Sequence, residues 1–344
     1  MRLLDSPSAV RRSIIIVFLL PGLAISFVCV ALFLFFVPFI FLKSLFSSSN
    51  QDFLFRLIRM SLMVTWYLIM ECFGVFVALV LWVSTCGGYF VRAQWSQHTH
   101  GRVQYVWTTS ILFGVRVFLG GHVVYPNCSD LQDGPFIIVA QHRSFFDATI
   151  PSVLTGMAGG DVILRHILKS DLLISPSLDM FGHRLPNYFV TRNSGNREKE
   201  LKSIQALSQD LGSDACVIFP EGTFYSSKRF EKALSHIRKT DPGRLGRVQG
   251  LQHVLPIHSG GLQSLIETAP EADLVFIGHH GFEAFGSFRE ILQNIPFLTP
   301  IHIYIKRVSN TDIPTDESQR LKFLDEKWLE IDQWNSHISK KHSE

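Results

Sequence analysis

The chain has 344 residues, 47% of them hydrophobic and only 18% charged, with 29 phenylalanines and a formal net charge of +3. That length suits one large α/β domain with appendages, while so small a positive charge, without a dense basic block interleaved with aromatics, excludes a nucleic-acid partner. Five cysteines (Cys29, Cys72, Cys86, Cys128, Cys216) are scattered and odd in number, with no C-x-x-C spacing, which excludes a disulfide framework and a thiolate metal site.

From Ile14 to Leu42 there is no charge at all, and the run exceeds the roughly 20 residues that span a bilayer core. Arg11 and Arg12 precede it as they would a signal peptide, but the run is too long for an h-region and no small-residue cleavage site follows. After a polar loop from Lys43 to Met60, a second apolar run from Ser61 to Val91 carries one charge, Glu71. The two runs predict an N-terminal membrane anchor over residues 1–102, a hairpin of helices at about 14–42 and 61–91. Basic residues lie before, within and after it, so they do not orient it. Glu71 would cost a few kcal/mol facing lipid at mid-bilayer, so it is expected to face the partner helix, sit near an interface or be protonated, in a structural role.

Between Val103 and Val124 Arg116 and glycines 114, 120 and 121 interrupt an apolar stretch, which reads as an interfacial helix passing into a first strand. From Pro135 onward short apolar runs alternate with amphipathic stretches, the βαβ texture of a mainly parallel sheet flanked by helices. The runs at 135–140, 188–191, 215–219 and 274–278 read as buried strands, and the strict alternation of IHIYIK (301–306) as an edge strand. Leu201, Ile204, Leu207 and Leu211 recur at helical spacing behind the polar opening NSGNREKE. A catalytic domain is expected over 103–310, followed over 311–344 by an amphipathic helix with Trp328 and Trp334 that lies on the membrane or on the domain.

The strand PFIIVA runs straight into QHRSFFDATIP, which places His142 at a strand's carboxyl end and Asp147 five residues on. A hydroxyl attacking a thioester must lose its proton as the bond forms; histidine accepts a proton at neutral pH, and a carboxylate holds its tautomer and stabilises the imidazolium. H-x4-D is a common chance pattern by itself. PEGT (Pro220, Glu221, Gly222, Thr223) directly after the strand ACVIF changes its weight, because open α/β sheets bind ligands at the carboxyl ends of their strands, and both segments should emerge on one edge. His98 with His100, and His279 with His280, lack the companions of a metal set. No G-x-S-x-G, P-loop or G-x-G-x-x-G pattern occurs, so lipase, nucleotide hydrolase and dinucleotide oxidoreductase readings lack their parts.

In order and spacing these segments resemble the 1-acyl-sn-glycerol-3-phosphate acyltransferase (glycerophospholipid acyltransferase) family over roughly Gly114 to Ile305. HRSFFD resembles its N-H-x4-D block, implying His142 as general base and Asp147 as its orienting partner. NYFVTR resembles the second block and implies that Arg192 grips the acceptor phosphate. FPEGT resembles the third and implies that Glu221, Gly222 and Thr223 shape the acceptor pocket, while VLPI resembles the fourth, with Pro256 by the acyl-binding wall. Two positions depart from the pattern, Gln141 for asparagine and Phe224 for arginine. The second leaves less positive charge for a phosphate, to be made up by Arg192 with Lys228, Arg229 or Arg165.

The resemblance implies an acyl-CoA or acyl-carrier-protein donor, a lysophospholipid acceptor, no metal and no bound cofactor. It implies an integral membrane protein of a bacterial cytoplasmic membrane or an endoplasmic reticulum with a cytosolic active site, converting lysophosphatidate to phosphatidate. Another acceptor for the same chemistry (another lysophospholipid, glycerol 3-phosphate, an acyl amino acid lipid) and a non-catalytic lipid-binding membrane protein stay open.

Overall fold

The computed structural model describes residues 8–44, 51–144, 146–190 and 197–341. In chain order its helices are α1 (Ser8–Ser44), α2 (Gln51–Ser84), α3 (Gln94–Gly114), α4 (Ile150–Ala158), α5 (Pro176–Arg184), α6 (Arg197–Ser208), α7 (Ser227–Thr240), α8 (Leu245–Val248), α9 (Ser259–Thr268), α10 (Phe288–Asn294) and α11 (Glu317–Lys341). The strands are β1 (Val123–Val124), β2 (Phe136–Ala140), β3 (Leu164–Lys169), β4 (Tyr188–Val190), β5 (Ala215–Ile218), β6 (Asp273–His280) and β7 (Ile301–Val308). Two compact units form: Met1–His122 with Lys169–Leu185 and Ser287–Pro300, and Val123–Leu168 with Pro186–Gly286 and Ile301–Glu344.

In the first unit α1 and α2 are both long and apolar enough to cross a membrane. Many of their large apolar side chains, including Phe18, Ile25, Phe35, Phe76 and Val83, are exposed. α2 begins well before Ser61, because Gln51–Met60 already forms its first turns. The far end of α2 also comes earlier than Val91: Cys86, Gly87 and Gly88 all take positive φ, a succession that no α-helix continues through. Glu71 is buried and turns to the start of α5 rather than to α1. It accepts the Ser175 hydroxyl at 2.8 Å and the Ser177 amide at 3.0 Å. One turn further along α5, Asp179 accepts Arg11 in two hydrogen bonds, at 2.8 and 3.0 Å, and Arg12 at 3.1 Å. Charges in or beside these apolar helices are thus satisfied by a polar helix start, as burial of such groups requires.

The second unit is a seven-stranded sheet in the order β1-β7-β6-β2-β5-β3-β4, flanked by helices. β2 is paired parallel to both β5 and β6, β5 parallel to β3, and β1 parallel to β7; β6 and β7 are antiparallel. Phe136 to Val139 are fully buried, as a central parallel strand covered on both faces must be. β7 is not the outermost strand, since the two residues of β1 pair beyond it. Its alternation records one buried face, with Ile301 and Ile303 inward, and says nothing of which strands lie beside it. The sequence does not mark β3 (LRHILK) as a strand, because Arg165, His166 and Lys169 break its apolar run; Leu164, His166 and Leu168 nonetheless alternate inward.

α11 lies on the domain. Leu324, Trp328 and Ile331 enter the core shared by β2, β5, β6 and α9. Gly278 on β6 is what lets the helix approach, because a Cβ there would stand 2.7 Å from Ile331 Cγ2.

Candidate active site

Since β5, β2 and β6 are adjacent and parallel, their carboxyl ends open on one edge, and each brings a side chain there: Glu221 just past β5, His142 just past β2 and His279 near the end of β6. Ala140 is level with Ile277, and the Gln141 amide continues the ladder onto the Ile277 carbonyl at 2.9 Å.

Beyond Gln141 the chain leaves the sheet in a turn organised by Asp147. This carboxylate is 1% exposed. It accepts the backbone amides of Arg143 and of Ser144 (2.7 Å), and the Ser144 hydroxyl. Short side chains closing a turn on backbone donors are a common device of Ser and Asp. The same carboxylate holds His142, whose Nδ1 lies 3.3 Å from Oδ2. A donated Nδ1–H leaves Nε2 as the basic nitrogen. The His142 side chain is 12% exposed, with the Phe219 and Phe224 rings 4.9 and 4.5 Å from its own. Five residues of separation therefore become a His–Asp dyad with a partly open imidazole in an aromatic setting.

The other face of Asp147 meets a residue that the sequence leaves aside. His279 Nε2 stands 3.2 Å from Oδ1, an ion-pair distance off the line of a good hydrogen bond. Burial by itself would push the Asp147 carboxyl up, but the charge on His279 and the His142 imidazole hold it well below the usual carboxylate range. One signal for His279 was available: it ends a third apolar run that opens on the same sheet edge.

Glu221 is fully buried, beneath the site. One carboxylate oxygen accepts the His142 amide at 2.7 Å and the other the Leu255 amide at 2.8 Å, so it ties the histidine turn to the VLPI segment. Burial pushes this carboxyl up to about 8, against the pull of the Leu255 and His142 amides and of the Arg143 guanidinium. Gly222 closes the turn after it with φ +64°, a left-handed conformation that glycine takes without penalty, and its amide bonds the Phe219 carbonyl at 3.0 Å. Thr223, half-buried, follows on the same turn.

Pro256 is buried within a segment fastened at each step. Asp332 Oδ1 accepts the amides of Gln252 (2.9 Å), His253 (2.6 Å) and Val254 (3.2 Å). Trp328 Nε1 donates to the Leu255 carbonyl at 2.9 Å, and Arg244, paired with Asp325, to that of Ile257 at 3.0 Å. Three of these groups belong to α11, whose part in the site has no local signature in the sequence. Gln141 joins the same network: its Oε1 accepts the His279 amide at 2.9 Å and the Asn335 side-chain amide at 3.3 Å.

Arg192 lies outside the described residues. Among the other cations expected near a phosphate, Arg165 is not at this edge. It stands level with Cys216 near the amino end of β5, where Asp214 and the carbonyls of Leu207, Gln209 and Asp210 occupy its guanidinium. Lys228 and Arg229 are exposed in the first turn of α7, and Arg229 donates to the Phe224 carbonyl at 2.9 Å. Arg143 packs over Tyr225 at 4.7 Å and bonds the His253 carbonyl.

Residues 122–280 match the family model described as Acyltransferase. Among solved structures, the chain is similar to the crystal structure of the 1-acyl-sn-glycerophosphate (LPA) acyltransferase from Thermotoga maritima, at 17% identity and a TM-score of 0.43, over 79% of this chain and 95% of that one. The family match spans the segments that carry His142, Asp147, Glu221 and His279.

Proposed function

We propose that the chain is a membrane-anchored O-acyltransferase that moves a fatty acyl group from an acyl-CoA or acyl-carrier-protein thioester to the free hydroxyl of lysophosphatidate, giving phosphatidate. The observation that carries this reading is the dyad, with His142 Nδ1 3.3 Å from a buried Asp147 and the imidazole partly open at the carboxyl-terminal edge of the sheet, where open α/β folds bind their ligands. His142 Nε2 removes the hydroxyl proton, and the oxygen attacks the thioester carbonyl. The tetrahedral intermediate collapses with loss of the C–S bond, and the proton passes from His142 to the departing thiolate, so no acyl-enzyme forms. Asp147 stabilises the transient imidazolium. Arg192 holds the acceptor phosphate through paired guanidinium hydrogen bonds, and α1 and α2 keep the site at the bilayer that stores acceptor and product.

A second acceptor class is favoured by Phe224. The family's basic residue is replaced by a ring 4.5 Å from the imidazole, which lowers the positive charge available to a phosphate monoester. The deciding assay is thiol release from acyl-CoA by the purified protein in detergent, wild type against His142→Ala, with lysophosphatidate, other lysophospholipids and glycerol 3-phosphate in turn. The proposal expects release that needs both His142 and lysophosphatidate. Release with a different acceptor only would retain the mechanism and replace the substrate; equal release by His142→Ala would end the reading.

A further inference from the structure

Asp147 is shared, a feature the dyad does not require. One of its oxygens faces His142 Nδ1 at 3.3 Å and the other faces His279 Nε2 at 3.2 Å. The two imidazoles come from different strands, 137 residues apart in sequence, and meet only because β2 and β6 are neighbours. His279 is 1% exposed, and neither of its ring nitrogens has a hydrogen-bond partner among the described residues. A buried imidazole without such a partner is costly unless its charge answers another. Its place is enforced from both sides. The Gln141 side chain takes its backbone amide at 2.9 Å, and the Phe282 ring meets its imidazole edge-on at 5.1 Å. Asn335 of α11 in turn holds Gln141, which gives the longer amide at this position, in place of asparagine, something to reach.

We infer that His279 is a positioning residue for the acyl-transfer site: a second imidazolium that shares the Asp147 carboxylate with His142 and so holds the basicity of His142 down. The inference rests on the dyad reading above. A carboxylate facing one imidazole stabilises that ring's protonated form fully; one already neutralised from its other side does so less. Sharing keeps His142 in its proton-accepting form at lower pH while Asp147 still fixes its tautomer. The other charged groups around the pair are Glu221, behind the His142 amide, Arg143, stacked on Tyr225 and 3.8 Å from Glu283, and His280, 3.7 Å from Glu283 on the far side of β6. None of them is altered in the test.

The experiment measures His142 itself. Diethyl pyrocarbonate reacts with neutral imidazole, so its rate at His142, followed by peptide mass spectrometry from pH 5 to 8, reports the ionisation of that ring whether or not acyl transfer occurs. The full-length protein in detergent is compared with His279→Gln, which keeps a polar group, and with His279→Phe, which keeps the ring. Thermal unfolding identifies which variants fold. In each folded variant the midpoint at His142 is expected to rise by about half a pH unit or more, making the reaction at pH 6 about threefold slower. The acidic limb of thiol release should move the same way. An unchanged or lowered midpoint in a folded variant overturns the inference. Failure of both variants to fold overturns it too, since His279 would then be a core residue only. A shifted midpoint in a protein that releases no thiol would retain the ionic coupling and refute the acyl-transfer reading instead.

Discussion

Replacing Glu221 by glutamine keeps the shape of the side chain and removes one of its two acceptors. Both carboxylate oxygens receive backbone amides, at 2.7 Å from His142 and 2.8 Å from Leu255, with no solvent exposure. The Glu221→Gln amide group must turn its own donors toward one of those amides, so a buried N–H goes unmet at a cost of about 1–3 kcal/mol. The penalty depends on pH. With its carboxyl pushed up to about 8 from an ordinary 4.5, wild-type Glu221 keeps in the folded state a proton that the unfolded chain releases. Wild-type stability from this group is therefore fully present below about pH 4.5 and is lost as pH rises toward 8, by at most about 1.4 kcal/mol per pH unit. Glu221→Gln has no such slope. Thermal unfolding in detergent at pH 6 should show the variant less stable by about 2–4 °C for each kcal/mol, and the gap should narrow or close by pH 8.5. Because the lost bond also anchors the His142 amide, turnover should fall by about ten- to a hundredfold through misplacement of the ring. A gap equal at pH 6 and pH 8.5, or none at pH 6, would refute the claim that Glu221 is a buried tie under the histidine.

Two further variants probe the remaining supports. Asp147→Asn should melt below wild type, because it loses a buried carboxylate held well below its usual range, and the folded variant should lose about 10³–10⁴-fold in turnover, because the amide cannot stabilise the imidazolium; less than a tenfold loss would remove Asp147 from the mechanism. Asp332→Ala strips the amides of residues 252–254 of their shared acceptor, and with Val254 the buried member the expected loss is about 1–3 kcal/mol. Asp332→Asn, which retains one oxygen, should recover most of that in the same melting assay, and equal losses for the two would point to charge rather than to the hydrogen bonds.

Local chemistry reveals much of this protein. The uncharged run from Ile14 and the run containing Glu71 have a length and composition that only long apolar helices suit. The runs at 135–140, 215–219 and 274–278 are strands because short, wholly apolar segments between polar amphipathic ones can be buried on both faces of a parallel sheet. His142 and Asp147 are close in sequence, and a single turn is enough to join them. Other features have no local trace. The strand LRHILK carries Arg165, His166 and Lys169, whose partners lie at Asp214, at Asn187 and elsewhere in the fold, so its charges read as solvated surface. The amphipathic pattern of residues 321–338 is the same whether the apolar face meets lipid or a sheet, and only Gly278, far away in sequence, opens the space that Ile331 fills.

Taken alone, the residues determine that two long apolar helices precede an α/β domain and that a histidine and an aspartate stand together where a strand ends. Tertiary structure decided the rest: that β6 lies beside β2 and brings His279 to the second oxygen of Asp147, that Glu221 points down to the backbone beneath the dyad, and that the C-terminal helix fastens the VLPI segment. The physical reason is that strand order and helix docking are set by which buried surfaces fit and which buried polar groups find partners across more than a hundred residues, and short-range periodicity carries no record of that choice.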